Sequence, residues 1–277
     1  MAARHSIVLL PWLALGPAPG LAVAEPAADL GAGDHGHAPG GGHHHHQRPG
    51  GAGPLVQPHR HGDAARPLDV NLTLGVDSRY VVEGRDALPG EGGIVYTNLV
   101  KHWHTDSGSC FAELLGAAGW EADYEEWNVA AGYEWEAGGL AFALAGTWLW
   151  FPEDGQDDVE AGISAEWIHD SGFGIAGEAY WSFEAEGWFG EAGVFYECPL
   201  CDGVTVVPSL VLGVNQGFVA DEHDGFNHVG AQLEGIWAVS EVLELTVYGA
   251  CVAPLDEEAG ESLRDLCWAG GSLVWSF

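Results

Sequence analysis

From residue 69 onward the chain alternates apolar and polar positions in short segments, and a period of two predicts strands. Over 157–169, Val159, Ala161, Ile163, Ala165 and Trp167 fall on one face, and Glu160, Gly162, Ser164 and Glu166 on the other. Over 124–136, Trp127, Val129, Ala131, Tyr133 and Trp135 oppose Glu126, Asn128, Ala130, Gly132 and Glu134. Over 172–184, Phe173, Ile175, Trp181 and Phe183 oppose Glu178 and Glu184. The pattern predicts twelve strands, near 69–83, 93–104, 109–120, 124–136, 139–151, 157–169, 172–184, 187–198, 203–215, 225–238, 241–253 and 263–277. Segments 139–151 and 203–215 are apolar on both faces, so their facing is not assigned by pattern.

Alternating segments of about ten residues, apolar outward and polar inward, are the signature of a barrel in lipid. Lipid cannot satisfy backbone polar groups, so such a sheet must close on itself. The connections near 105–108, 137–138, 170–171 and 239–240 are short. Those near 84–92, 152–156, 216–224 and 254–262 are longer and mostly acidic, with 121–123 and 185–186 as short exceptions. That alternation matches a barrel with short turns on one rim and loops on the other. No stretch approaches the ~20 apolar residues of a spanning helix. A soluble sandwich or propeller would need a polar alternate face, whereas here that face carries Trp127, Trp135, Trp167 and Trp181. The fold class expected is all-β, a twelve-stranded antiparallel transmembrane β-barrel with a disordered N-terminal segment.

The ends of the chain refine this picture. Arg4 and His5, an apolar run over 7–15 and the small residues Ala22-Val23-Ala24 read as a signal peptide over 1–24. Residues 25–65 are dominated by Gly, Pro, Ala and His and cannot bury a core, so a disordered periplasmic leader is expected. The barrel takes 66–277. It closes on Leu273-Val274-Trp275-Ser276-Phe277, apolar at every second position back from Phe277, like the terminal strand that barrel-assembly machinery reads. The location expected is the bacterial outer membrane, with its lipid and lipopolysaccharide as surroundings.

Charge narrows the function. The formal net charge of −33 excludes nucleic acid as a partner, because that interface is basic. It also argues against unassisted docking on anionic lipid. From position 66 on, the cations are only Arg66, Arg79, Arg85, Lys101 and Arg264. The facing places Asp77, Glu113, Glu126, Glu134, Glu160, Glu166, Glu178, Glu191, Glu234 and Glu244 inward, with Arg79 as a local counter-charge. Rings of acid favour cations and repel anions. Twelve strands lie between barrels filled by side chains and those with an aqueous channel, leaving a narrow pore and a polar plug both open. Selectivity stands beside a plainer reading, in which the glutamates only keep the interior wet and the surface anionic.

The leader carries His35, His37, His43, His44, His45, His46, His59 and His61, and neutral imidazoles bind Zn²⁺, Cu²⁺ and Ni²⁺. Loose metal capture there competes with a solvated linker. Asp221-Glu222-His223-Asp224 and Asp256-Glu257-Glu258 are oxygen-rich loops able to hold Ca²⁺ or Mg²⁺ weakly and bridge to lipopolysaccharide, or are simply solvated. No cofactor is required. In an oxidising compartment Cys198 and Cys201 are expected to pair at a turn or to remain as two idle thiols, and Cys251 to pair with Cys267 across a hairpin, leaving Cys110. An outer-membrane lipid hydrolase needs a nucleophile, base and orienting group in reach. His169-Asp170-Ser171 lies at a tight turn and no Gly-x-Ser-x-Gly elbow occurs, so no enzyme is expected.

Ser78-Arg79-Tyr80 followed by Gly84-Arg85 resembles the opening strand of the TorF-type porins, with Glu83-Gly84 standing where that family has Arg-Gly. Trp148–Pro152 (148–152) resembles the aromatic-Pro end of a mid-barrel strand, and Glu186-Gly187-Trp188-Phe189-Gly190-Glu191 the hairpin that follows. The resemblance implies a small channel. The function expected is passive diffusion of small solutes, cations favoured, with a structural or surface-interaction barrel as the alternative.

Overall fold

In the computed structural model, residues 68–88, 90, 92–153, 155–218, 224–255 and 264–277 are described. The expected signal peptide, the expected His-rich leader with all its histidines, the cluster 256–258 and most of 221–224 lie outside these residues.

The wall runs in chain order through β1 (Val70–Asp77), β4 (Ile94–Thr105), β5 (Gly108–Gly119), β6 (Glu125–Ala137), β7 (Leu140–Phe151), β8 (Gln156–Ile168), β9 (Phe173–Ser182), β10 (Gly187–Tyr196), β12 (Val204–Gln216), β13 (Asp224–Ala238), β14 (Leu243–Pro254) and β15 (Leu266–Ser276). Between them, β2 (Val81–Val82) and β3 (Arg85–Asp86) form a small hairpin, and β11 (Cys198–Cys201) extends the edge of β10 against β12. Each wall strand pairs antiparallel with the next, and β1 pairs with β15 from Asn71↔Ser276 to Asp77↔Gly270. The sheet is therefore a closed twelve-stranded barrel with no free edge.

In the strands whose facing the pattern assigns, the expected carboxylates turn to the lumen. In β8 the residues Asp158, Glu160, Ser164 and Glu166 are buried toward the lumen, while Val159 and Ile163 are exposed on the outside. The outer face sorts its aromatics by depth. Trp127, Trp148, Trp150, Trp181 and Phe226 lie near the long-loop rim, and Trp103, Trp135, Phe173, Tyr196 and Trp237 near the short-turn rim. Aliphatic side chains such as Val129, Leu144, Ile163 and Leu233 occupy the space between. From Trp127 to Trp135 the strand rises ~27 Å at ~3.4 Å per residue, or about 20 Å along the barrel axis at a ~40° tilt. An apolar band of that height between two aromatic girdles fits a bilayer core.

Two expectations need correction. The first strand was expected to run to residue 83, but β1 stops at Asp77, and Val81–Val82 belongs to a separate hairpin folded into the lumen. The valines continue the strand-like pattern although the chain has already turned. Cys198 and Cys201 are both free thiols, not a disulfide. They lie at the two ends of one extended segment, where a rise of ~3.3 Å per residue keeps their backbones beyond bridging distance. Cys251 and Cys267, directly opposite each other on β14 and β15, are joined.

Candidate functional site: the barrel lumen

The connection between β1 and β4 does not stay on the rim. Its hairpin, a tongue, reaches into the lumen. The turn Glu83-Gly84 has φ of 49° and 77°, the two left-handed residues of a type I′ turn, and Val82↔Arg85 and Val81↔Asp86 pair on either side. The Ala87 amide donates to the Tyr80 carbonyl at 2.7 Å and closes the hairpin base.

Both faces of the tongue pack. Tyr80, Val82, Ala87 and Leu88 join Ile94, Leu115, Tyr124, Leu149 and Phe151 in one buried cluster. Fully burying a side chain of this size contributes about 1.5–3 kcal/mol. This explains why β7 is apolar on both faces: Leu149 and Phe151 point inward, yet they meet the tongue rather than water. On the other side Val81 packs with Val252 and Leu266, flanked by Trp268.

Polar contacts fix the tip. The Tyr180 hydroxyl donates to Glu83 Oε1 at 2.5 Å, and Arg85 Nη2 donates to Glu83 Oε2 at 2.9 Å. Asn227 Nδ2 donates to the Glu83 carbonyl at 2.6 Å. Asn227 reaches inward because β13 carries a bulge: Gly213 pairs with His228 but Val214 with Phe226, so Asn227 and His228 both turn into the lumen. Tyr80 and Tyr124 each donate to Glu126, the latter at 2.6 Å. At the base, Asp86 Oδ2 accepts from Arg79 and from Arg264, each at 3.0 Å.

Every predicted inward carboxylate lies on the lumen face. Asp77 accepts from the Tyr248 hydroxyl. Glu113 accepts from Asn98 at 2.7 Å, Glu134 lies 3.3 Å from His102 Nε2, and Glu234 accepts from Gln232 at 3.4 Å. Glu160 and Glu166 are buried in β8, and Glu244 is half-buried near the short-turn rim. Glu178 and Glu191 stand directly opposite each other on β9 and β10, and Glu191 Oε1 lies 3.2 Å from His228 Nε2. Arg79 is the exception. It sits on the base of the tongue, 43% exposed, and not on the wall. The inward faces of the wall strands carry no Lys or Arg among the described residues, because Lys101 follows the outward parity of β4.

Pattern reading missed Asp158, which accepts from Ser182 at 2.7 Å, and the whole group Glu83, Tyr180, Asn227 and His228. The signal for Asp158 was its even position beside Glu160. A Glu-Gly pair between Val-Val and Arg-Asp is a hairpin signal that could have revealed the tongue. Nothing in the sequence marks the bulge.

Two rim contacts bear on hydrolysis. His104 Nδ1 lies 2.7 Å from Ser109 Oγ and His104 Nε2 2.6 Å from Asp69 Oδ2, while His169 Nδ1 lies 2.9 Å from Ser171 Oγ. The His104 side chain is 64% exposed, and His169 Nδ1 also accepts the Ser171 amide at 3.1 Å as part of a turn. Both are open rim contacts rather than enclosed sites that exclude water.

The barrel is similar in fold to small porins. One solved structure, described as a KdgM porin in complex with disordered oligogalacturonate, aligns at a TM-score of 0.49 and 9% identity, covering 75% of this chain and 99% of that one. A NanC porin aligns at 0.47 and 9%, covering 75% and 98%. The Acinetobacter baumannii outer membrane protein Omp33 aligns at 0.45 and 6%, covering 76% and 98%. No protein-family model and no curated protein matches the chain.

Proposed function

We propose that this barrel is an outer-membrane channel for passive diffusion of small solutes, narrowed by the tongue and favouring cations. The observation that carries the reading is the one-sided charge of the inner wall: carboxylates from Asp77 to Glu244 face the lumen, and no Lys or Arg does so from a wall strand among the described residues. With the long loops outside the cell, the tongue sits in the outer half of the lumen. The aromatic girdles support the membrane placement. The TorF-type resemblance of Ser78-Arg79-Tyr80 and Gly84-Arg85 agrees with a small porin. Zn²⁺, Cu²⁺ or Ni²⁺ on the leader, and Ca²⁺ or Mg²⁺ on the acidic loops, would act outside the filter itself.

A second reading is a plugged structural barrel, and packing of the tongue against both β7 and β14–β15 favours it. Proteoliposome swelling separates the two. The channel predicts uptake of small cationic and neutral solutes faster than anionic ones of equal size. Vesicles that swell no faster than protein-free controls would leave the plugged barrel.

A further inference from the structure

A pocket open to the lumen lies between the tip of the tongue and the wall from β10 to β15, and its empty space of about 390 Å³ includes open solvent. Its lining is chemically divided. Glu83 at the tongue tip and Glu191 on β10 are acidic, whereas Val252 on β14 and Trp268 on β15 are apolar. Glu178 and Glu191 are directly opposite across β9 and β10, so two carboxyl groups crowd one another beside the pocket. Glu83, brought by the tongue, adds a third carboxylate, of which Arg85 neutralises one. On the apolar side Trp268 is hydrogen-bonded to Tyr248, which in turn donates to Asp77.

A bare metal ion would satisfy the carboxylates and leave the indole and valine wall unused. An anion would be repelled, and a neutral solute would make no use of the Glu83 and Glu191 carboxylates. A cationic head on a short hydrocarbon body suits both sides, since ammonium groups pair with carboxylates and are attracted by aromatic faces. We propose that this pocket is a subsite for small organic ammonium ions, the head held by Glu191 and Glu83 and the hydrocarbon body against Trp268 and Val252. The proposal rests on the reading of the barrel as a channel, of which it names the substrate class.

The test is block of the K⁺ current of refolded full-length protein in planar bilayers by n-butylammonium chloride. Sodium chloride at equal ionic strength and n-butanol serve as controls. Millimolar n-butylammonium should reduce the current reversibly while both controls leave it unchanged. Glu191→Gln should raise the half-blocking concentration about tenfold. Trp268→Leu, which leaves the carboxylates in place, should raise it about two- to fivefold. Folding of each variant is checked by its strand signature in far-ultraviolet circular dichroism. A current that n-butylammonium does not affect, or block of equal strength in wild type and both variants, overturns the subsite and leaves the channel standing. No current from folded protein overturns the channel reading and the subsite with it.

Discussion

The backbone of Gly84, at the tip of the tongue, lies against the ring of His228, and a Cβ built on Gly84 would come within 2.6 Å of Nδ1. Gly213 on β12 meets the same ring at 2.6 Å, so the imidazole is held between two glycines. Gly84 is doubly constrained, because its φ of 77° is left-handed. Gly84→Ala should weaken docking of the tongue by at least ~1–2 kcal/mol, a factor of about 5–30 in the ratio of docked to released forms. Single-channel recording is the check: the variant should show a larger and noisier conductance. Conductance identical to wild type would mean that the tongue does not narrow the path.

Acidity should tighten the tongue. Burial pushes the Glu83 carboxyl up to about 7, against the lowering influence of Arg85 and Tyr180, and neighbouring Glu191 adds to the rise. A released tongue would return Glu83 to its ordinary value of about 4.5. The docked form thus binds the proton more strongly, so this contribution to docking is full below about pH 4.5 and is lost as pH rises through 7. The expected outcome is a quieter, smaller conductance at pH 4.5 than at pH 7.5. Glu83→Gln separates this from effects of the neighbouring Glu178, Glu191 and His228. The pH dependence should shrink in that variant, and an unchanged dependence would assign it to those neighbours.

Asp86 ties the base of the tongue to the loop before β15 through Arg79 and Arg264. The two guanidinium groups are 43% and 52% exposed, so each pair is worth no more than about 1 kcal/mol. Asp86→Asn should therefore speed hydrogen exchange over 78–93 without unfolding the barrel, and high salt should mimic it in wild type. Equal exchange in both proteins would show that apolar packing alone holds the tongue.

Much of the barrel was legible because lipid on one side and water or polar side chains on the other impose a period of two. Glu160 and Ile163, or Trp135 and Glu134, need only their parity to be placed. Where the lumen is filled by protein the parity loses contrast, and this is why β7 resisted assignment: Leu149 and Phe151 face the tongue as Trp148 and Trp150 face lipid. The candidate site was legible as a set of carboxylates, but not as an arrangement. That Glu178 meets Glu191 depends on register, and that Glu83 joins them depends on a hairpin whose Val81–Val82 looks like a continuation of β1. His228 reaches the tip only because of the Asn227 bulge, which no local pattern announces.

The thiol map gives a direct check on β11 and on the β14–β15 pair. Alkylation of unreduced, denatured protein should label Cys110, Cys198 and Cys201, and reduction should expose Cys251 and Cys267. Intact mass reads the difference. Labelling of Cys110 alone before reduction would mean that Cys198 and Cys201 had paired, and that β11 is not extended.

The most direct test of an acid-lined, cation-favouring channel is the reversal potential of refolded protein in a planar bilayer under a KCl gradient, with and without Zn²⁺. The inward carboxylates predict a reversal potential displaced toward that of K⁺. Glu178→Gln combined with Glu191→Gln should move it back toward zero, and block by Zn²⁺ would implicate the leader histidines. A reversal potential at zero or displaced toward Cl⁻, or no current at all, would contradict the reading of the lumen as a cation filter.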